Sequence, residues 1–298
     1  MYTTKQIENI DDLFLLLKET RLLLYRGLSK ASYHLTTTLY RTVAPTIVDI
    51  SKPEEVKKHS NEIAEACKRT ERTILRTFAK YAANIDPHCE DNTPYAVWRQ
   101  MVLGQHHGLP TRLLDWSQSP LVGLYFATNY SYFGSSASSE EDREEDCILW
   151  QIDPKEIGAL LPKEYKEEYK DEEKNDLFFT LKMLEDNKIT LDDIDKKGIP
   201  IMIEPPSIDQ RIVNQYSCFT ALPAGMDDME DFLKETEKSV KYVIPGKLRW
   251  EIGKMLDICN IGERILFPGV DGVCMDIARY KKMYTNKPYG KPNLIISL

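Results

Sequence analysis

The run GQHHGLPTRLLDWSQSPLVGLYFATNY over residues 104–130 restricts the folds open to this chain more than any other stretch. Gly104, Gly108 and Pro110 interrupt the periodicity of the helix that precedes them, so the chain must turn there. Residues 112–116 are then short and apolar enough for a buried strand. Ser119 supplies an N-cap and Pro120 a first-turn proline for a helix across 121–130. A strand that turns at once into a helix is the building unit of a layered α/β protein.

The remaining segments extend that arrangement. Residues 7–20 place Ile10, Leu13, Phe14 and Leu17 on one helical face, and 22–25 form a short apolar strand ending at Arg26-Gly27. A long helix is expected over 53–81, burying Ile63, Cys67, Ile74, Phe78 and Tyr81, and Pro94 opens another through Trp98, Met101 and Leu103. Residues 147–152, 199–203 and 218–222 read as strands, the last two separated by an Arg211-containing turn, and 226–240 and 245–259 as trailing helices. The fold expected is α/β (α+β mixed), a central sheet of short strands flanked by helices. Two segments read as insertions: a polar loop at 134–146, too poor in apolar residues to order itself by packing, and a charged helical stretch at 155–195 with an acidic surplus.

Composition excludes rather little. With 298 residues, 42% of them hydrophobic, the chain can bury a substantial core. Its formal net charge of -8 argues against a wholly nucleic-acid-coating protein but leaves room for a local basic face. Lys68, Arg72, Arg76 and Lys80 recur four residues apart on the 53–81 helix, as a solvated surface does or as a stripe tracking a nucleic-acid backbone does. No stretch approaches the roughly 18 apolar residues of a membrane span, and the first residues lack the order of a signal peptide, so a cytoplasmic protein without a membrane partner is expected. The six cysteines form no C-x-x-C pair, which points to reduced, mostly buried thiols.

Gln105, His106, His107, Thr111, Arg112, Asp115, Ser117 and Ser119 crowd donors, acceptors and charges between glycine and proline breaks. Free N–H groups at a helix start beside two serine hydroxyls suit a phosphate or carboxylate. The same residues also suit a plain structural reading, in which Asp115, Ser117 or Ser119 caps the helix and Arg112 pairs with Asp115. Adjacent histidines diverge on a helix or strand and no third ligand sits at a familiar spacing, so no metal is expected. Tyr25-Arg26-Gly27 sets a guanidinium at a strand end, either for an anion or for a carboxylate across the fold. Arg211, Asn214 and Gln215 precede a further strand, and Glu204 before Pro-Pro is a solvated loop residue or a base.

Together, YRG at 25–27, QHHGLPTRLLDWSQSPLVGLYFA at 105–127, RIVNQYSCFT at 211–220 and GERILFPGVDG at 262–272 resemble the FRG domain family, across about residues 22–280. The departures are Tyr25 for the family's Phe, Ser117 for the usual Thr and Ser217 for a common Gly. The resemblance implies one FRG-type domain over 1–298. Its layout is similar to that of ADP-ribosyltransferases, with a split-sheet core. That likeness implies NAD as substrate, without a metal: Arg26 would hold the pyrophosphate, Ser117 and Ser119 the nicotinamide ribose, and Gln215 would support an oxocarbenium-like state. Tyr25, Gly27, Gln105, His106, Thr111, Arg112, Asp115 and Arg211 would line the pocket. A toxin or defence effector of this kind implies a nucleic-acid or protein acceptor and an antitoxin partner. The rivals are a non-catalytic ligand or nucleic-acid binding module and a metal-dependent hydrolase using His106 and His107.

Overall fold

The computed structural model describes residues 1–84, 86, 89, 93, 95–128, 145–163, 165 and 178–285, the side chains only as far as residue 279. Its first half contains β1 Thr3–Gln6, α1 Asp11–Leu17, β2 Leu24–Leu28, α2 Thr38–Val43, α3 Pro53–Lys58, α4 Ser60–Ala82, α5 Ala96–His106, β3 Leu113–Ser117 and α6 Pro120–Thr128. There follow β4 Cys147–Ile152, α7 Pro154–Leu160, β5 Phe179–Thr180, α8 Leu181–Asp186, α9 Leu191–Lys197, β6 Ile201–Glu204, α10 Gln210–Asn214 and β7 Ser217–Ala221. The chain continues through α11 Glu230–Leu233, β8 Val240–Ile244, α12 Arg249–Ile258, α13 Glu263–Leu266 and α14 Val270–Thr285.

The eight strands of the described residues join one mixed sheet in the order β1-β8-β4-β2-β3-β7-β6-β5, with helices on both faces. Among the described residues only the edge pairs β1–β8 and β5–β6 are parallel. The central strand β4, CILWQI, is buried at all six positions, as a strand covered on both faces must be. On one face Tyr25, Leu149 and Tyr242 pack against Leu13 and Leu16 of α1, Leu124 of α6 and Ile252 of α12. Further along that face Leu113, Phe219 and Ile203 meet Trp98 and Met101 of α5 and Ile194 of α9. The opposite face holds Leu24, Trp116 and Trp150 under Ile157 of α7 and Leu233 of α11.

The sheet is tightly laddered on either side of its middle and nearly parted at the middle itself. Strand β2 pairs with β4 through five residues and β3 with β7 through five, yet β2 and β3 share one pair, Tyr25↔Ser117. Helix α6 packs directly over β2. A Cβ on Gly27 would lie 2.1 Å from the Ala127 nitrogen and 2.3 Å from the Gly123 oxygen, so only glycine admits this approach.

Several expected elements shift. The first helix starts at Asp11, not 7, and buries Leu13 and Leu16 while Phe14 and Leu17 are exposed, because β1 occupies the segment before it. Residues 53–81 break into α3 and α4, and Tyr81 points into water. The expected helix over 226–240 is confined to the single turn α11, and Val240, Tyr242 and Ile244 alternate inward as β8. The Arg211 turn is the short helix α10. Most of the polar loop at 134–146, Pro94 and part of the charged stretch at 155–195 lie outside the described residues; within the last, β5, α8 and α9 replace a continuous helix. Among the described residues no helix is long and apolar enough to cross a membrane.

Candidate functional site

Where β2 and β3 part, the β3 carbonyls that would face β2 need other donors. Arg26 Nη1 donates to the Asp115 carbonyl at 2.6 Å and lies 3.5 Å from Asp115 Oδ2. Gln105 Nε2 reaches the Leu113 carbonyl at 3.4 Å and donates to Asp115 Oδ2 at 2.9 Å. The Gln105 amide is oriented in turn by Thr111, whose hydroxyl donates to Gln105 Oε1 at 2.5 Å and accepts from the Leu113 amide at 3.1 Å. Side chains thus take over part of the ladder, and the Asp115 carboxylate they hold is 43% exposed.

Helix α5 brings Gln105 and His106 here because it stops where it does. Gly108, at φ 84°, reverses the chain, and the Leu109 amide returns to the Gly104 carbonyl at 2.9 Å. His106 is buried with its ring edge toward Phe219, which pairs with Asp115 across the β3–β7 ladder. Burial pushes the His106 pKa down, against the pull of Asp115, and keeps the imidazole neutral at pH 7. Arg211 on α10 donates to the His106 carbonyl and stacks its guanidinium 4.9 Å from the Phe267 ring centre. Burial lowers the pKa of both Arg26 and Arg211, and Asp115 opposes that shift in each. Three buried nitrogens around this carboxylate, Arg26 Nε, His106 Nε2 and Arg211 Nε, have no hydrogen-bond partner. Phe126, partly exposed, meets Phe267 edge to face and adds an apolar wall.

Other expected site residues are committed elsewhere. Arg112 does not pair with Asp115: strand alternation turns it away, and it binds Glu71 of α4 and Asp195 of α9 with both partners buried. Burial works against its charge, but the two carboxylates outweigh it and push its pKa up. The Ser117 hydroxyl donates to the Gln215 carbonyl at 2.7 Å and accepts from the Ser119 amide at 3.0 Å. Ser119 Oγ accepts from the Val122 amide at 3.4 Å in the first turn of α6. Gln215 Nε2 donates to the Leu266 carbonyl at 2.9 Å, so Ser117 and Gln215 tie β3, the β7 lead-in and α13 together. Tyr25 is core, and the close approach at Gly27 is to α6. Glu204 ends β6 exposed.

The two histidines diverge, His106 inward and His107 outward to Asp209 at 3.1 Å, so they do not form a metal pair. Ligand atoms of His34, Asp228 and Glu230 do lie within 4.8 Å of one another, but the Lys241 ammonium sits 3.1 Å from both Glu230 oxygens and already serves as that carboxylate's cation.

Residues 21–133 match the family model of the FRG domain. The chain carries an FRG domain. No curated protein and no solved structure matches it. Arg26, Gln105, His106, Asp115 and Phe126 all fall within the FRG domain match, whereas Arg211, Gln215 and Phe267 come from the chain beyond it. The FRG segment therefore supplies the carboxylate and one guanidinium, and the later segment completes the wall. Phe126 and Phe267 went unnoticed as site residues because single aromatics in apolar runs read as core.

Proposed function

We propose that this FRG-domain protein binds a phosphorylated nucleotide over Asp115, with NAD as the first candidate, and acts as an ADP-ribosyltransferase-like enzyme. The observation that carries the reading is a half-exposed carboxylate held by Arg26 and Gln105, with the Arg211 guanidinium within its electrostatic reach. Guanidinium donors suit the pyrophosphate. The Asp115 carboxylate is set to support positive charge developing at the ribose carbon as the bond to nicotinamide breaks. Gln105 and Thr111 orient that carboxylate, and Phe126 with Phe267 offers ring faces to a base. Ser117 and Gln215 hold the walls in this scheme, since their polar groups already bond within the protein.

The test incubates the purified protein with NAD and candidate acceptors and measures nicotinamide release. Asp115→Asn should lower release by about 100-fold or more while NAD binding by calorimetry changes little. A wild-type protein that neither binds NAD at millimolar concentration nor releases nicotinamide refutes the reading. The commitment of the Ser117 hydroxyl favours a second reading, a non-catalytic nucleotide-binding module, for which NAD binding without release is the signature. A toxin role with an antitoxin partner extends the first reading, and growth arrest on induced expression that Asp115→Asn relieves would support it.

A further inference from the structure

A second concave surface lies outside this site. A groove of about 530 Å³ between α4, α5 and the start of α9 is lined by Arg72, Arg76 and Lys80 along one side and by Leu75, Val97 and Leu191 on its floor. Successive cations four residues apart on a helix stand about 6 Å from one another, in a row along the groove. Glu71, the acidic group in the lining, is neutralised by its bond to Arg112. Arg72 is 69% exposed and meets an exposed partner, Asp192, at 3.4 Å, a contact that an incoming anion can displace at little cost. Tyr81, next in sequence to Lys80 but outside the groove's lining, is 68% exposed, with the Lys80 ammonium 5.3 Å from its ring centre.

We propose that this groove binds single-stranded nucleic acid. Three cations in line on a chain whose net charge is -8 form a local basic track that favours a polyanion. The apolar lining of Leu75, Val97 and Leu191 suits unstacked bases, and a strand that runs past Lys80 meets the exposed ring of Tyr81 outside the groove, on which a base stacks irrespective of sequence. A groove of this volume accepts a splayed nucleotide, whereas a rigid duplex offers its bases no entry. The inference is independent of the NAD reading, and α5, which lines the groove with Val97 and Gln100, ends at Gln105 and His106 in the other site.

The experiment is fluorescence anisotropy of a labelled oligo(dT) or oligo(U) of about 12 nucleotides, with no NAD present. The slope of log affinity against log salt should be about -2, the value for three phosphates neutralised on a single strand. Arg76→Glu with Lys80→Glu should weaken binding about tenfold or more, Tyr81→Ala about fivefold or more, and Arg76→Lys should bind nearly as wild type. Circular dichroism checks that each exposed-site variant is folded. Wild type without binding at low salt, or a folded charge-reversed variant that binds equally well, overturns the proposal. Equal competition by a duplex of the same length overturns the choice of single strands.

Discussion

Replacing Arg112 by Met removes a buried cation from between two buried carboxylates while keeping a side chain of similar length. Arg112 Nε lies 2.9 Å from both Glu71 oxygens, Nη2 also bonds Glu71, and Nη1 donates to Asp195 Oδ1 at 2.7 Å. The side-chain exposures are 2%, 2% and 5% for Arg112, Glu71 and Asp195, so water cannot take over the arginine's role. Breaking a buried pair by removing one partner costs about 3–5 kcal/mol, because a charge is left desolvated and unpaired. Lys68, 3.9 Å from Asp195 Oδ2, offsets part of the loss on that side but does not reach Glu71 in the same way. At this chain length the melting temperature falls by about 2 °C per kcal/mol, so Arg112→Met should lower Tm by about 6–10 °C in a calorimetric scan. Glu71→Gln, which keeps a neutral acceptor for Arg112 and leaves Asp195 in place, should cost less, about 1–3 kcal/mol. If Arg112→Met melts within about 1 kcal/mol of wild type, the three groups do not act as a counter-charged unit. Lost nucleotide affinity at unchanged stability would instead place Arg112 in ligand binding.

Gly27→Ala drives a methyl group into the α6 backbone, and a loss of about 3 kcal/mol or more is expected by urea denaturation; a loss under about 1 kcal/mol would mean that α6 can lift off β2 freely. His106 is held below its ordinary pKa of 6.5 by burial, so the unfolded chain takes up a proton first as the pH falls. Stability should therefore drop below about pH 6.5, by up to about 1.4 kcal/mol per pH unit, until the folded imidazole also titrates, and His106→Asn should flatten that slope in denaturation curves at pH 7.5 and 5.5.

Strand β4 was legible at its observed bounds because residues 147–152 read as a strand by their alternation, and β3 and α6 were legible to within two residues because a serine and a proline mark the turn between them. Strand β8 was lost to a helix because Met229 and Leu233 lie at helical spacing and the helical reading ran on through Val240. Strand β1, TTKQ, is exposed at every position and has no pattern to read; its parallel pairing with β8 makes it a strand. Within the site, period-two alternation separates Arg112, with Leu114 and Trp116, from Asp115, with Leu113 and Ser117. That alternation assigns the faces, but the partners of Arg112 lie 41 and 83 residues away and only the fold brings them in. The role of Gln105 depends on the parting of β2 from β3, a tertiary event with no local signal.

The strand order also has a consequence in time. The half-sheet β3-β7-β6-β5 comes from one continuous stretch between Leu113 and Ala221, so its partners emerge from a ribosome within one span of synthesis. The other half does not: β1 pairs only with β8, which follows at Val240–Ile244, and β2 reaches its five-residue ladder only when β4 arrives. Strand β1 thus precedes every other described strand and yet is among the last of them to be paired. A nascent chain stalled before residue 240 would carry the assembled half-sheet β3-β7-β6-β5 beside a strand β1 still open to other partners.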